Sequence, residues 1–319
     1  MTNPYMYRIN YQPYEKDLCA LDMRGLFGVD FSMNVFLTKR LVDPSLSPYL
    51  KHRLEIIHRT DDFNYLLHLM ETKVIHAQGF NVVYAPFYKN DPYISKGKYY
   101  SKEVGLRIVG NPSFINPTIV YGITFYQGQW CFGVLQTNDV LWNKHLNKPF
   151  SYSSSLGIHI AKVLLNVVSQ GDRSKKLIDP CCGVGTVLLE AANIGYDIVG
   201  REIKSKVSQN ARENLAHYGY TTQVTTGDIK DISESYDGVI IDLPYGNFSH
   251  TTSEDIDMII LNAKRIGERC IIVASGDIRE RLMGHGLQII DYCQVGKSKN
   301  SQFVRYVFLC QSNVSKIKA

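Results

Sequence analysis

The second half of the chain alternates segments of helical and strand periodicity. In residues 155–169 apolar side chains recur at the spacing of a helix, and Gly171 ends that segment. Strands are predicted at 176–179, 197–203, 223–227, 238–242 and 269–274, and helices at 185–193, 206–218, 253–266 and 277–283. Because strand and helix follow each other in strict turn, the pattern predicts a parallel, doubly wound sheet.

Two apolar runs without a helix between them close this half of the chain. They span residues 287–293 and 303–309, and we expect them to pair antiparallel. The predicted fold class is therefore α/β, with a seven-stranded, mostly parallel sheet whose last strand is antiparallel.

The first half has a less regular pattern. Helices are predicted at 14–27 and 61–78, and strands at 81–84, 105–109, 118–125 and 130–135. This mixture indicates a smaller α+β domain. Lys148-Pro149-Phe150 and the serines after it mark a boundary, so we predict an N-terminal domain at 1–149 and a second domain at 150–319.

Composition excludes several classes of protein. A chain of 319 residues with 45% hydrophobic and 20% charged side chains has the length for two globular domains. The opening residues resemble no leader, and no apolar run is long enough to cross a bilayer, so we expect a cytoplasmic protein without a membrane partner. Seven scattered cysteines argue against disulfides, and the adjacent Cys181 and Cys182 alone do not make a metal site.

Basic residues are concentrated in the first half. Residues 1–150 carry 16 Lys and Arg against 12 Asp and Glu, whereas residues 151–319 carry 19 against 18. Lysines also alternate with tyrosines between Pro86 and Arg107, at Tyr88, Lys89, Tyr93, Lys96, Lys98, Tyr99, Tyr100 and Lys102. Such residues can neutralise phosphates and stack on unpaired bases, which favours RNA, although solvated lysines and packed tyrosines give the same pattern.

A glycine turn follows the first strand of the second half. The predicted cofactor contacts there are Asp179, Pro180, Cys181, Gly183, Gly185 and Thr186. Glycine lets the backbone approach a ligand, and the start of the next helix favours an anionic group. Leu188 occupies the place of the third glycine of a dinucleotide fingerprint. Asp179 suits a methionine ammonium better than a pyrophosphate, which it would repel.

Three acids stand at the ends of the next three predicted strands. Glu202 can accept hydrogen bonds from both hydroxyls of a ribose, and Asp228 can accept one from the amino group of adenine. Asp242 ends the fourth strand. Each acid alone could be a helix cap or a solvated loop residue, but in register with the glycine turn the three indicate one ligand crevice.

The fourth strand runs into Asp242-Leu243-Pro244-Tyr245-Gly246. An amino nitrogen conjugated to a base is a poor nucleophile, so it must be desolvated, oriented and hydrogen-bonded before it is methylated. The Asp242 carboxylate and the Leu243 carbonyl can accept from such a group, Pro244 shapes the turn, and Tyr245 can stack on the base. The alternative is a turn that merely ends the strand.

Residues 148–248 resemble the class I Rossmann-like methyltransferases of the RNA methylase group, in particular the THUMP-associated tRNA (guanine-N2-) methyltransferases. The matching stretches are Lys148-Pro149-Phe150-Ser151-Tyr152-Ser153, Asp179-Pro180-Cys181-Cys182-Gly183-Val184-Gly185-Thr186, Ala211-Arg212-Glu213-Asn214-Leu215-Ala216-His217-Tyr218-Gly219 and Asp242-Leu243-Pro244-Tyr245-Gly246. This resemblance implies S-adenosyl-L-methionine bound by the glycine turn, Glu202 and Asp228, and a target base held by residues 242–245. Leu243 stands where the family pattern has proline.

The resemblance further implies methylation of the exocyclic N2 of a guanosine in tRNA. A looser likeness around residues 107–112 implies a THUMP-like RNA-binding domain at 1–149. Two alternatives remain. One is a methyltransferase for adenine N6, cytosine N4, a guanine of ribosomal RNA or a glutamine amide. The other is a protein that binds adenosylmethionine or RNA without catalysis.

Overall fold

The computed structural model of this chain describes residues 4–30, 33–152, 155–244, 251–296 and 303–312. Its first elements are β1 (Tyr5–Ile9), α1 (Lys16–Phe27), β2 (Val35–Thr38), β3 (Leu50–Thr60), α2 (Phe63–Thr72), β4 (Ile75–His76), β5 (Phe80–Tyr84), α3 (Gly97–Gly105), β6 (Ile108–Val109), β7 (Ile119–Tyr126) and β8 (Gln129–Thr137).

The later elements are α4 (Ile158–Ser169), β9 (Leu177–Asp179), α5 (Thr186–Ile194), β10 (Ile198–Glu202), α6 (Ser205–His217), β11 (Val224–Thr226), β12 (Tyr236–Asp242), α7 (Ser253–Ile266), β13 (Gly267–Ala274), α8 (Arg279–Gly284), β14 (Leu287–Gly296) and β15 (Val304–Ser312). None of the helices in the described ranges has the length and the apolar composition needed to cross a membrane.

The chain forms two compact units. The first unit comprises Met1–Asn10, Phe31–Ser45 and Tyr49–Asp139, and the second comprises Tyr11–Asp30, Leu46–Pro48 and Val140–Ala319. The division is therefore not a single cut at residue 149. Helix α1 belongs to the second unit because its apolar side chains pack against α4 and β14.

In the first unit, six strands form one sheet in the order β2-β1-β3-β8-β7-β5. All neighbours are antiparallel except β5 and β7. The helix expected at 61–78 ends at Thr72, and the chain then forms the short strand β4. Residues 97–105 are helical, so the strand expected at 105–109 is reduced to β6. Strands β1, β2 and β3 were not predicted.

The second unit has the predicted seven-stranded sheet, in the order β11-β10-β9-β12-β13-β15-β14. Strand β15 is antiparallel to both β13 and β14, and the pairs from β11 to β13 are parallel, so the predicted fold class is confirmed. Helix α4 packs against β12 and β13, and α7 packs against the same two strands. A reciprocal capping box between Thr252 and Asp255 begins α7, which has the predicted bounds.

Candidate active site

Strand register brings two of the predicted acids to one face of the sheet. Gly200 in β10 pairs with Asp179, the last residue of β9. Paired residues point to the same face, and side chains two positions apart in a strand do so as well. Glu202 therefore shares a face and an edge of the sheet with Asp179.

The third acid reaches the same face through β12. Val239 pairs with Ile178, so the positions that follow them, Ile240 and Asp179, point to one face. Asp242 lies two residues beyond Ile240 at the end of β12. Because β9, β10 and β12 are parallel, the three carboxylates line one crevice at the carboxyl edge of the sheet.

The glycine turn between β9 and α5 leaves open space over its backbone. Gly183 has φ +53° and Gly185 has φ +81°, in the left-handed region that favours glycine. A Cβ atom at Gly183 would meet no atom within 4 Å, so this side of the turn can accept a ligand. Gly185 stands at the N-cap of α5, where free N–H groups and the helix dipole favour an anionic group.

Glu202 connects this turn to β10. Its Oε2 accepts the Gly183 N–H at 3.1 Å, and its Oε1 accepts the Lys204 N–H at 2.9 Å. Each carboxylate oxygen keeps a lone pair after these bonds. The buried Glu202 side chain can therefore still accept the two hydroxyls of a ribose.

Asp179 is the deepest of the three acids. Its Oδ1 accepts the Cys181 N–H at 3.2 Å. Burial raises the pKa of Asp179 well above its usual range, and the charges of Asp242 and Glu202 raise it further. Three mutually repelling carboxylates make a crevice that is stabilised by a cationic ligand.

The other residues of the turn are packed and unreactive. Pro180 and Thr186 are buried, and Cys181 is half-buried. Burial and the neighbouring carboxylates raise the pKa of the Cys181 and Cys182 thiols, so both stay protonated and neither is poised as a nucleophile. The part of the chain that the structure describes holds no cluster of His, Cys, Asp and Glu suited to a metal.

Asp228 lies two residues beyond the end of β11 and is half-buried. Its Oδ1 accepts the Lys230 N–H at 3.1 Å, and its Oδ2 lies 3.3 Å from the Lys230 amine. The Asp228 charge contributes to the raised pKa of Cys181, so Asp228 lies near the glycine turn. The structure therefore brings Asp228 close to the same crevice. Its carboxylate also caps a short helical turn by accepting the Lys230 N–H.

Asp242 has an open acceptor. Its Oδ1 is shielded from solvent and has no hydrogen-bond partner among the described residues. Burial raises the pKa of Asp242 to about 7, and the charge of Arg305 opposes that rise. The next residue, Leu243, donates its N–H to the Val273 carbonyl at 2.9 Å and buries its side chain in the core.

The rest of the pentapeptide is only partly described. Pro244 is half-buried. Tyr245 and Gly246, predicted to stack on the base and to complete the turn, lie outside the described residues. The stacking role of Tyr245 stays a prediction.

Comparisons with known proteins agree with this crevice. Residues 146–259, which include every predicted site residue, match the family model UPF0020, the RMKL-like methyltransferase domain. This segment is similar to that methyltransferase domain.

Three curated relatives each match about a third of the chain. The tRNA (guanine(10)-N2)-dimethyltransferase of Methanothermobacter thermautotrophicus is 35% identical over 126 residues, which cover 36% of this chain and 37% of that protein. The protein of the same name from Pyrococcus abyssi is 30% identical over 122 residues, 36% of either chain. The human U6 snRNA (guanine-N(2))-methyltransferase THUMPD2 is 31% identical over 116 residues, 33% of this chain and 23% of that protein.

The chain thus spans about a third of the length of the first two of these relatives. Among solved structures, that of TrmN from Thermus thermophilus aligns with 97% of this chain and 99% of its own, at 15% identity and a TM-score of 0.47.

Two polar residues of the second unit were missed as site residues. Asn214 in α6 hydrogen-bonds the backbone of Phe150 and of Val184, which joins three of the four recognised stretches of the methyltransferase domain. Arg305 lies in β15 and is buried, and its charge acts on Asp242. An arginine inside an otherwise apolar strand was the signal that could have indicated it.

Proposed function

We propose that this chain is an S-adenosylmethionine-dependent RNA methyltransferase that acts on the exocyclic N2 of a guanosine in tRNA. The observation that carries the proposal is the shielded Oδ1 of Asp242, which has no hydrogen-bond partner in the described part of the chain and shares a crevice with the glycine turn. A buried acceptor without a donor is costly, so a bound group with an N–H is expected to complete it.

The charges of the crevice and the open space over Gly183 support a role in binding the cofactor. Adenosylmethionine carries a positive sulfonium and an ammonium, and both would be stabilised by Asp242 and Glu202, the carboxylates whose charges raise the pKa of Asp179. Asp179 is suited to the ammonium, Glu202 to the ribose and Asp228 to the adenine amino group. The backbone N–H groups at the start of α5 are suited to the methionine carboxylate. The cofactor supplies an electrophilic methyl group.

The end of β12 is suited to the base. A planar amino group can donate one N–H to Asp242 and another to the Leu243 carbonyl, which localises its lone pair toward the methyl group. When the nitrogen–carbon bond forms, the nitrogen carries one proton in excess. Because burial raises the pKa of Asp242 to about 7, its carboxylate can take that proton near neutral pH.

The choice of guanine as the target base rests on the names of the relatives. The amino groups of guanine, adenine and cytosine all fit two acceptors, so the acceptor pair alone does not select one of them. The relatives named above are guanine-N2 methyltransferases of tRNA and U6 snRNA. Those names favour a guanosine N2 in RNA over adenine N6 and cytosine N4.

The first unit offers a surface for RNA. Lys98 and Lys102 on α3 are exposed and line a cavity of about 920 Å³ beside β5. Phe114 lines the same cavity with 78% of its surface exposed. Cations beside an exposed aromatic ring suit an unpaired RNA segment. Tyr93 and Tyr100 of the same stretch pack around Trp130 instead, at ring-centroid distances of 4.8 and 4.5 Å.

Methyl transfer to a tRNA transcript, followed by mass spectrometry of its nucleosides, tests the proposal. We expect a methylated guanosine N2. Replacing Asp242 with Asn should lower the rate about a hundred- to a thousandfold and leave the calorimetric affinity for adenosylmethionine unchanged, since the acceptor serves the base. Asp237→Asn is the matched control, because Asp237 is an exposed acid at the other end of β12.

Three outcomes would count against the proposal. Wild-type turnover in Asp242→Asn would remove the role of that carboxylate. A methylated adenine or cytosine would select the alternative enzyme. A folded chain that gives no heat with millimolar adenosylmethionine would exclude the cofactor.

A further inference from the structure

A buried arginine shares a face and an edge of the sheet with the carboxylate proposed to hold the base. Asp242 pairs with Val273 across β12 and β13, and Val273 pairs with Val307 in β15. Arg305 lies two residues before Val307, so it points to the same face as Asp242. Because β15 runs antiparallel, its beginning lies at the carboxyl edge of the parallel strands, where β12 ends.

The guanidinium of Arg305 is buried and contacts a backbone carbonyl and an aromatic ring. Only 3% of the residue is exposed. Its Nη2 donates to the Ser155 carbonyl at 3.5 Å, and its guanidinium carbon lies 5.0 Å from the centre of the Phe303 ring. A cation is rarely buried without a compensating anion, and the carboxyl edge of this sheet is lined by acids.

Charges of both signs lie in the crevice that contains Asp242. Asp179 from β9 and Glu202 from β10 are like charges in the same crevice, and Cys181 between them is a neutral thiol. The guanidinium of Arg305 from β15 is the opposite charge. Burial raises the pKa of Asp242, and Arg305 lowers it.

We propose that Arg305 is a positioning residue for methyl transfer, which increases the ionised fraction of Asp242 near neutral pH and so maintains its carboxylate as an acceptor for the target amino group. The catalytic part of this inference rests on the proposed function. The effect of Arg305 on the pKa of Asp242 is independent of any substrate, because both residues belong to this chain. A protonated Asp242 would offer one acceptor fewer and could not take the proton released by the methylated nitrogen.

The charge of Arg305 can be separated from its packing. Arg305→Gln and Arg305→Met remove the charge, and Arg305→Lys keeps it. Loss of a cation raises the pKa of a carboxyl group, because the ionised form loses its stabilising partner. Both neutral variants should therefore raise the pKa of Asp242 by about one unit or more, and the Lys variant should change it much less.

The pKa of Asp242 can be measured directly by ¹³C NMR of protein labelled at the aspartate carboxyl carbon, between pH 4 and 9. The signal that disappears in Asp242→Asn assigns the residue. Arg269→Gln is the matched control. Arg269 is a half-buried arginine of β13 that also donates to a backbone carbonyl, that of Val167, but it lies at the opposite edge of the sheet. It should leave the Asp242 titration unchanged.

The rate of methyl transfer gives the second readout. In the neutral variants the acid limb of the kcat profile should move to higher pH by the same amount. At pH values well below the wild-type pKa of Asp242, kcat should fall about tenfold for each unit by which that pKa rises. At pH 9 it should return to the wild-type value. A purely structural role would lower kcat at every pH.

An unchanged Asp242 pKa in a folded neutral variant would overturn the proposal. If Arg305→Gln does not fold, Arg305→Met carries the test, because apolar replacements of buried charges are often tolerated. The titration needs no substrate. A wild-type protein without methyl transfer would therefore refute the proposed function while the titration still decides whether Arg305 controls Asp242.

Discussion

The Asn214 side chain forms hydrogen bonds with both backbone polar groups of Phe150. Its side-chain oxygen accepts the Phe150 N–H, and its amide donates to the Phe150 carbonyl, each at 2.9 Å. The same amide donates to the Val184 carbonyl, also at 2.9 Å. One fully buried side chain of α6 thus joins the segment before α4 to the glycine turn.

We expect Asn214→Leu to destabilise the second unit and to weaken cofactor binding. The substitution keeps the branched shape of the side chain but removes the partner of three backbone groups, and an unsatisfied buried group costs about 1–3 kcal/mol. A loss of about 3 kcal/mol or more in the free energy of unfolding is expected. Affinity for adenosylmethionine should fall about tenfold, because Val184 lies between the two glycines of the turn.

Urea unfolding and calorimetry measure these two effects. A Trp130→Phe background leaves Trp142, in the second unit, as the only tryptophan. Gln209→Ala, on the exposed face of the same helix, should change neither quantity. Wild-type affinity in a destabilised Asn214→Leu would show that Asn214 stabilises the fold without shaping the turn.

Alanine substitutions at two glycines can distinguish the cost of backbone strain from the loss of a ligand contact. Gly183 and Gly195 both have positive φ, +53° and +77°, and a Cβ atom at either would meet nothing within 4 Å. Alanine at each should cost about 1–2 kcal/mol, because the left-handed conformation disfavours a side chain. Only Gly183→Ala should weaken adenosylmethionine binding, since Gly195 ends α5 at the far end from the turn. Equal calorimetric losses would place the ligand elsewhere.

The buried Asp22 of α1 should make the second unit sensitive to pH. Its carboxylate accepts hydrogen bonds from Ser47 Oγ at 2.5 Å and from Asn166 Nδ2 at 2.8 Å. Burial nevertheless raises the pKa of Asp22 to about 6. The folded chain therefore binds this proton more tightly than the unfolded chain. The resulting stability is fully present below about pH 4 and is lost as the pH rises to about 6.

Asp22→Asn removes that dependence. Relative to wild type, its free energy of unfolding should rise by about 3 kcal/mol between pH 4 and pH 7, since one pKa unit corresponds to about 1.4 kcal/mol. Urea unfolding followed by Trp142 fluorescence at several pH values checks this. A constant difference between the two proteins would mean that Asp22 titrates in the folded state as it does in the unfolded chain.

Periodicity predicted the second unit well and the first unit poorly, for a physical reason. In the second unit, glycines and caps end each element where the apolar period changes, so α7 has the predicted bounds. In the first unit, β3 begins with Leu50 followed by three polar residues and buries alternate side chains only from Leu54 onward. Its start therefore resembles a loop. Helix α3 starts with a glycine and carries two lysines, which hides its period.

The acids of the site could be predicted because parallel strands end at one edge of a sheet. Their supporting residues could not. Asn214 and Phe150 are 64 positions apart, Arg305 and Ser155 are 150 apart, and Asn166 and Asp22 are 144 apart. Spacing along the chain carries no information about such pairs, so neither the packing of α1 in the second unit nor the part played by Arg305 of β15 was predicted.

The contribution of the first unit to RNA binding must be tested in the full chain, because removing residues 1–149 would also delete α1 of the second unit. Lys98→Ala combined with Lys102→Ala removes two charges beside β5. Since each neutralised phosphate releases counterions, this pair should lower the salt slope of tRNA binding by about 1.5 to 2 units. Filter binding between about 50 and 200 mM salt measures the slope.

Alanine at both Lys39 and Arg40 removes two exposed charges just beyond β2, at the opposite edge of the same sheet, and should have little effect. If both pairs flatten the slope equally, the cavity beside β5 is not the RNA contact, and the first unit binds tRNA only through its general positive charge.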